Sequence, residues 1–294
     1  MPEQSSERAD PAPAIHDSPQ GNQGKSQAPG RSQKRPRGAG YVDSSYLAVL
    51  AEKVGPLKRR TCELLGIGDG DRVLDVGCGP ATDTIALARI VGERGFVAGV
   101  DADEEMVAVA DRRAREAGVA GRVSHQVGRA DALTFGDSSF SACRSERLFQ
   151  HLESPARALA EMIRVTRPAG RIVVADTDHT TLTIDCRGID REWRFRQAHV
   201  ARLRCATAAR SLPRLFSDAG LSARGVEVIP FFVDSYALTR SFLAFDEVEA
   251  FAVAEGFLSA ADVQAFRDEC AERDAKGTFF ACVNMIVAYG TRIS

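Results

Sequence analysis

Three carboxylates in this chain are spaced to hold a ligand rich in hydrogen-bond donors. Asp75, Asp101 and Asp131 each stand at or just past the end of a short apolar run. The first lies in the stretch Val73-Leu74-Asp75-Val76-Gly77-Cys78-Gly79-Pro80-Ala81-Thr82. A carboxylate accepts hydrogen bonds from hydroxyls and amines, and Gly77 and Gly79 allow a tight turn and the approach of a ligand to bare backbone. Proton chemistry has its own candidates. Of the five histidines, His151 follows the fourth apolar run and His179, beside Asp178, follows the fifth. An imidazole with a near-neutral pKa can take or give a proton at either place. His125 falls inside a strand pattern and reads as structural, His199 lies in a polar helical stretch where a surface role is expected, and His16 is in the N-terminal tail.

Alternating helix and strand patterns must position these groups. A buried parallel strand is expected over 72–76, a glycine loop after it, and a helix from Thr82 carrying Ile85, Ala86, Ala88, Ile90 and Val91 at helical spacing. Strands follow at 95–101, 123–127, 139–145 and 171–175, with helices at 104–117 and 154–165 and a turn at Pro168-Ala169-Gly170. Later come a partly helical stretch over 191–208, a strand over 226–232, helices at 245–255 and 259–275, and a long last strand over 278–289. Ahead of the first strand, 43–66 reads as helix interrupted near Gly55-Pro56. In this α/β order the glycine loop and the acidic strand tips share the crevice above the carboxyl ends of the strands.

A dinucleotide-binding loop would need a third glycine at position 82, which is Thr82. The pattern Val73 to Ala81 instead resembles motif I of the class I S-adenosylmethionine-dependent methyltransferases, with Ala81 in place of the more usual third glycine. The stretch from Arg147-Leu148-Phe149-Gln150-His151 through strand five resembles the ubiquinone/menaquinone-type and natural-product branch. The resemblance covers about 41–294 and is best over 71–180. It implies a Rossmann-like, doubly wound, mostly parallel seven-stranded sheet with an antiparallel C-terminal strand and helical lid insertions.

The same resemblance implies S-adenosyl-L-methionine as cofactor, held by Asp75, Gly77, Gly79, Asp101, Ala102, Met106, Asp131, Ala132, Glu146 and Arg147. Asp101 would take the ribose hydroxyls and Met106 would rest on adenine. Asp131 would take the exocyclic amine, and the Ala132 backbone N–H a ring nitrogen. Glu146 and Arg147 would flank the methionine end. His151, Asp178 and His179 are the catalytic candidates, with fixing the local loop open as the alternative for His151. By position alone Asp176, Arg194 and Arg202 could orient a carboxylate or phenolate acceptor, with a solvated helix face as the alternative for the arginines. Ordinary core packing is open as an alternative for Met106, and packing on the sheet for Tyr41 and Tyr46, which could otherwise line the pocket.

The domain plan expected is a disordered tail over 1–40 and a methyltransferase domain over 41–294. The latter divides into an N-terminal helical cap (41–66), the cofactor-binding core (71–180), a lid and substrate wall (181–220), and C-terminal strands with inserted helices (221–294). The chain has 294 residues, 44% of them hydrophobic, and a formal net charge of −2. That balance lacks the bulk basicity of a nucleic-acid binder. The basic cluster Arg31-Ser32-Gln33-Lys34-Arg35-Pro36-Arg37 is its only argument for such a partner. No run approaches the roughly 20 apolar residues of a membrane span, and the N-terminus lacks the apolar core of a secretory signal. The seven cysteines contain no C-x-x-C pair and read as free thiols in a cytoplasmic protein, with no metal set.

A nicotinamide oxidoreductase is disfavoured by Thr82 and by the lack of a Tyr-x-x-x-Lys pair. A nucleic-acid methyltransferase is disfavoured because Ser145-Glu146-Arg147-Leu148 stands where an Asn/Asp-Pro-Pro-aromatic motif is expected. A non-catalytic cofactor-binding or scaffold protein of the same fold stays open. The partner expected is a small-molecule methyl acceptor whose reacting atom (O, N or C) is not fixed, and oligomeric state is not legible.

Overall fold

Along β1 (Arg72–Val76), Val73 packs toward one face while Leu74 and Val76 pack toward the other, and all three are buried. A strand buried on both faces belongs in the middle of a sheet with helices on either side. The computed structural model has that arrangement; it describes residues 44–293, with side chains from Val54 onward. The expectations for the 1–40 tail and for Tyr41 lie outside the described residues, and that for Tyr46 outside the described side chains.

The other strands are β2 (Phe96–Asp101), β3 (Val123–Val127), β4 (Phe140–Glu146), β5 (Thr166–Ile184), β6 (Ser222–Val233) and β7 (Ala281–Thr291). They form one sheet in the order β3-β2-β1-β4-β5-β7-β6. Pairs β1–β2, β2–β3, β1–β4 and β4–β5 are parallel, and β7 runs antiparallel to both neighbours. The doubly wound, mostly parallel plan with an antiparallel C-terminal strand is therefore present. The order reverses at β1 and β4, and the crevice outside their carboxyl ends is where ligands bind in such sheets.

One face of the sheet is covered by α1 (Ser44–Leu65), α2 (Thr82–Ile90), α3 (Glu104–Glu116), α5 (Ile189–Arg202), α8 (Phe245–Ala254) and α9 (Ala260–Ala275), through residues such as Leu57, Leu87, Ala110, Phe195, Phe245 and Phe266. The other is covered by α4 (Pro155–Val165) and α6 (Ala208–Asp218), through Leu159, Met162, Leu212 and Phe216.

Several boundaries differ from expectation for identifiable reasons. Helix α1 runs through Gly55-Pro56 unbroken, because the residues after Pro56 keep one face, Leu57, Leu64 and Leu65, buried on the sheet. The Pro168-Ala169-Gly170 turn is an irregularity inside β5: Ala169 has φ 62° and the register against β4 shifts there. Strand β5 continues to Ile184 because β7 pairs with it along that length, with a second irregularity between Asp178 and Thr183. The 181–220 lid divides. Helix α5 joins α8 and α9 through Phe195, which lies 4.8 Å from the Phe245 ring and 4.5 Å from that of Phe266. Helix α6 instead fills the sheet face beside α4. A helix not expected, α7 (Tyr236–Phe242), is opened by the Ser235 side chain, which accepts from the Leu238 N–H. The seven cysteines are free, with Cys78, Cys143 and Cys270 buried.

Candidate active site

The loop after β1 holds Gly77 at φ 80° and Gly79 at φ 49°, with Ala81 at φ 65° as the residue capping α2. Two of these positions explain their glycines. A Cβ on Gly77 would meet the Leu148 side chain at 3.1 Å, whereas one on Gly79 would project into open space. The Ala81 methyl is fully buried in the left-handed conformation, a strain of about 1 kcal/mol that a third glycine would avoid.

The Asp101 carboxylate at the tip of β2 ties this loop to the next helix. It accepts from the Gly79 N–H at 2.9 Å and, through its other oxygen, from the Asp103 N–H at 3.0 Å. Asp103 in turn caps α3 by accepting from Glu105 and Met106. Each Asp101 oxygen thus keeps a further lone pair for a ligand hydroxyl.

A cleft of about 240 Å³ opens above these groups. It runs from Gly77, Asp101 and Ala102 past Asp131 to His151, with Leu148 and Leu152 as apolar walls. Five expected residues therefore line one space: Gly77, Asp101, Ala102, Asp131 and His151. Gly79 supports it from beneath through its bond to Asp101.

The remaining expected residues are placed elsewhere. Met106 is half-buried at the start of α3, outside the cleft lining. The Ala132 N–H is donated to the Arg129 carbonyl at 3.2 Å, closing a turn instead of facing the ligand. Asp131 accepts from Arg129 Nε and Nη2 at 2.9 and 2.8 Å, and these bonds hold its carboxyl below the usual range. Arg129 and Arg204, both in the cleft lining, are residues that sequence reasoning missed. Arg204 is paired to Glu153 at 2.8 Å.

Asp75 and Glu146 belong to a buried ionic cluster under the loop. At its centre is Arg144 of β4, 1% exposed, with Glu146 at 2.7 Å, Asp83 at 3.2 Å and Asp75 at 3.9 Å. Lys58 of α1 reaches Asp83 at 2.7 Å and Glu146 at 3.1 Å. Burial pushes the Asp75 carboxyl up to about 7 against the pull of Arg144. Burial also opposes the charge of Asp83, yet Arg144 and Lys58 hold it below the usual range. Arg147, at φ 54°, turns its guanidinium over the Phe242 ring at 5.3 Å.

Asp178 is clamped by Arg210 of α6 at 2.7 Å and by the Thr180 hydroxyl at 2.7 Å. Asp176 is fully buried and accepts from the backbone N–H groups of Thr177 and Gln150 at 2.7 and 3.2 Å; burial lifts its carboxyl to about 7. Neither carboxylate lines the cleft, and neither do Arg194 and Arg202, which bond the Asp190 carbonyl and Glu247. His125 is structural, set between Thr84 and Asp111 at 2.9 Å each.

His179 and His199 correct two expectations. Both are buried, His199 to 1% exposure, with His179 Nδ1 2.8 Å from His199 Nε2. His179 Nε2 meets Gln150 Oε1, and Gln150 Nε2 lies 3.0 Å from His151 Nε2. His199 is therefore a core residue, because Phe195, Ala198 and His199 form the inward stripe of α5. His179 lies behind the cleft instead of in it.

Burial, His151 and Arg202 lower His179 to about 4, and burial, His179 and Arg202 lower His199 to about 3. The unfolded chain protonates these rings below about 6.5 while the folded chain leaves them neutral, so each subtracts stability as the pH falls from 6.5 toward its folded value. Asp75 and Asp176, raised to about 7, act in the opposite sense across the same range. A difference measurement isolates one histidine. His199→Gln is expected to be less stable than the parent at pH 7, by roughly 1 kcal/mol for imperfect packing. It should be the more stable at pH 5, where the parent has lost about 2 kcal/mol through His199 at ~1.4 kcal/mol per pH unit. Urea melts at both pH values check this, and a constant gap would contradict it.

The cleft presents acceptors for hydroxyl and amine donors at Asp101 and Asp131, apolar walls between them, and bare glycine backbone beside them. That set of acceptors fits a nucleoside carrying an amino-acid tail. The two nearest arginines already have carboxylate partners, so nothing there calls for a phosphate. A family model for a methyltransferase domain matches residues 67–212. Over 253 residues the chain is 34% identical to an uncharacterised 37.1 kDa protein in transposon TN4556 of Streptomyces fradiae, covering 83% of this chain and 69% of that one. The chain belongs to the class I S-adenosylmethionine-dependent methyltransferases.

Over 119 residues it is also 34% identical to the ubiquinone/menaquinone biosynthesis C-methyltransferase of Photorhabdus laumondii, covering 40% of this chain and 47% of the enzyme. The chain thus matches about half the length of the quinone methyltransferases to which it is similar. Among solved structures, geranyl diphosphate C-methyltransferase from Streptomyces coelicolor has a TM-score of 0.55 at 18% identity, covering 84% of this chain and 82% of that one. Such a likeness establishes the shared fold. S-adenosylmethionine is the cofactor of this enzyme class, and no described helix of this methyltransferase is long and apolar enough to cross a membrane.

Proposed function

We propose that this methyltransferase moves a methyl group to an oxygen, nitrogen or carbon of a small organic molecule, a specialised metabolite or quinone-like compound, by in-line displacement. One observation carries the reading: Gly77, Asp101 and Asp131 share a single cleft with His151. S-adenosylmethionine, when bound, supplies a methyl carried on a cationic sulfur. Asp101 would hold the ribose hydroxyls, Asp131 the adenine amine, and the Gly77–Gly79 backbone the methionine end. Leu148 and Leu152 would exclude water, which favours displacement over hydrolysis. His151, Leu152 and Arg204 would meet the acceptor and align its reacting atom. The activities of the quinone and geranyl diphosphate enzymes support a small acceptor. The seven free cysteines support a cytoplasmic setting.

Calorimetric titration with S-adenosylhomocysteine, against NADH as control, tests the cofactor assignment. Micromolar binding of the first alone is the expected result and would justify a screen of phenols, amines and quinone-like acceptors. Failure to bind, or preference for NADH, would overturn the proposal.

A further inference from the structure

The hydrogen bonds behind the cleft allow only one arrangement of protons. The Arg147 carbonyl, 3.3 Å from Gln150 Nε2, can only accept, so it fixes which end of the Gln150 amide carries the hydrogens. The amide oxygen then faces His179 Nε2, and an amide oxygen accepts only. His179 must therefore be protonated on Nε2. As a neutral ring it offers a bare Nδ1, to which His199 Nε2–H donates at 2.8 Å. That leaves His199 Nδ1 as a lone pair, and this is the atom that has no protein partner in the core. An orphaned lone pair there is the cheaper outcome, since buried N–H groups without acceptors are the rarer defect.

At the other end of the chain, Gln150 Nε2 donates to His151 Nε2 at 3.0 Å. A neutral His151 then carries its proton on Nδ1, because the tautomer of an imidazole is set by the bond its other nitrogen makes. Gln150 is itself immobilised: its backbone N–H is held by Asp176 and its carbonyl by the Cys205 N–H at 3.1 Å.

We propose that Gln150, His179 and His199 form a buried, proton-ordered relay that locks His151 in its Nδ1–H form. His151, its Nε2 lone pair held by the Gln150 amide, then does not serve as the base that deprotonates the acceptor. The Nε2 lone pair of His151 is already taken by the Gln150 amide and Nδ1 carries the proton, so a neutral ring has no bare nitrogen left to act as a base. His179 and His199 are positioning residues acting through Gln150. The role given to His151 rests on the methyl-transfer reading above, and the proton order rests on the bonds alone.

Long-range proton–nitrogen correlation spectra of the full chain with 15N-labelled histidine read the tautomers directly, with each ring assigned by its loss in His151→Gln, His179→Gln and His199→Gln. The expected result is Nδ1–H at His151 and Nε2–H at both His179 and His199. Any one of the three in the opposite form overturns the relay. In Gln150→Glu the carboxylate still accepts from His179 but cannot donate to His151, so the His151 proton should move to Nε2 while His179 is unchanged. If that variant does not fold, Gln150→Leu removes the donor and should give the same movement. A His151 proton that stays on Nδ1 in the folded variant refutes the proposal. S-adenosylhomocysteine titration of the same samples tests the cofactor reading separately, so failure of one is distinguishable from failure of the other.

Discussion

Asp101→Ala is expected to weaken S-adenosylhomocysteine binding by about 10²–10³-fold. A carboxylate that accepts from two ribose hydroxyls makes charge-assisted hydrogen bonds worth roughly 1.5–3 kcal/mol each, and each 1.4 kcal/mol is a factor of ten. The same side chain also holds the Gly79 and Asp103 N–H groups, so the alanine variant loosens the glycine loop as well as losing ligand contacts. Asp101→Asn separates the two effects: it keeps one accepting oxygen and the shape but loses the charge, and should fall about tenfold. Calorimetry on folded variants reads both numbers. An affinity unchanged in Asp101→Ala would show that the tip of β2 does not hold the ribose.

The frame around Asp101 was legible because strand, glycine loop and acid announce themselves locally. Residues 72–76 carry Val73, Leu74 and Val76 on both faces of one short strand, as a doubly covered strand needs, and the acids at 75, 101 and 131 come at or just past successive strand ends. What stayed hidden depends on partners far along the chain. Nothing near Asp178 reveals that Arg210 of α6, 32 residues along the chain, will clamp it. Arg129 is the exception, a neighbour two residues away whose side chain takes both Asp131 oxygens. His199 is the instructive case, since Phe195, Ala198 and His199 are spaced as one helical face. That spacing was a readable sign of an inward-facing histidine, outweighed by the polar residues around it. Helix α6 was hidden for a related reason: Ala208, Leu212 and Phe216 bury against Ile172, Val174 and Ala288 of strands distant in sequence.

Arg144 was the least legible residue and carries the second large effect. In sequence it follows Phe140, Ser141, Ala142 and Cys143 in a strand that ends in Glu146; in the fold it is the buried cation among Asp75, Asp83 and Glu146. Replacing one partner of a buried ionic group is far more damaging than the worth of the pair itself, because the opposite charges stay buried without compensation. Arg144→Leu should therefore lose about 3–5 kcal/mol of stability, which for a domain of this size lowers the melting temperature by roughly 10 °C. Arg144→Lys should recover little, since a single ammonium lacks the planar fork that reaches several carboxylates at once.

The loss should also depend on pH in a defined direction. Without the guanidinium, the already raised Asp75 carboxyl rises further and Asp83 loses a cation that holds it low, so the folded variant binds more protons through Asp75 than its unfolded chain and gains stability as the pH falls. The gap between parent and variant should accordingly be wide at pH 8 and narrower at pH 5. Lys58 remains as the second cation, so Lys58→Met in the Arg144→Leu background should widen the gap at pH 8 more than at pH 5. Thermal melts of the variants at the two pH values decide the matter. A gap equal at both would mean that the carboxylates under the glycine loop are not held ionised by Arg144. The cofactor loop would then rest on packing alone.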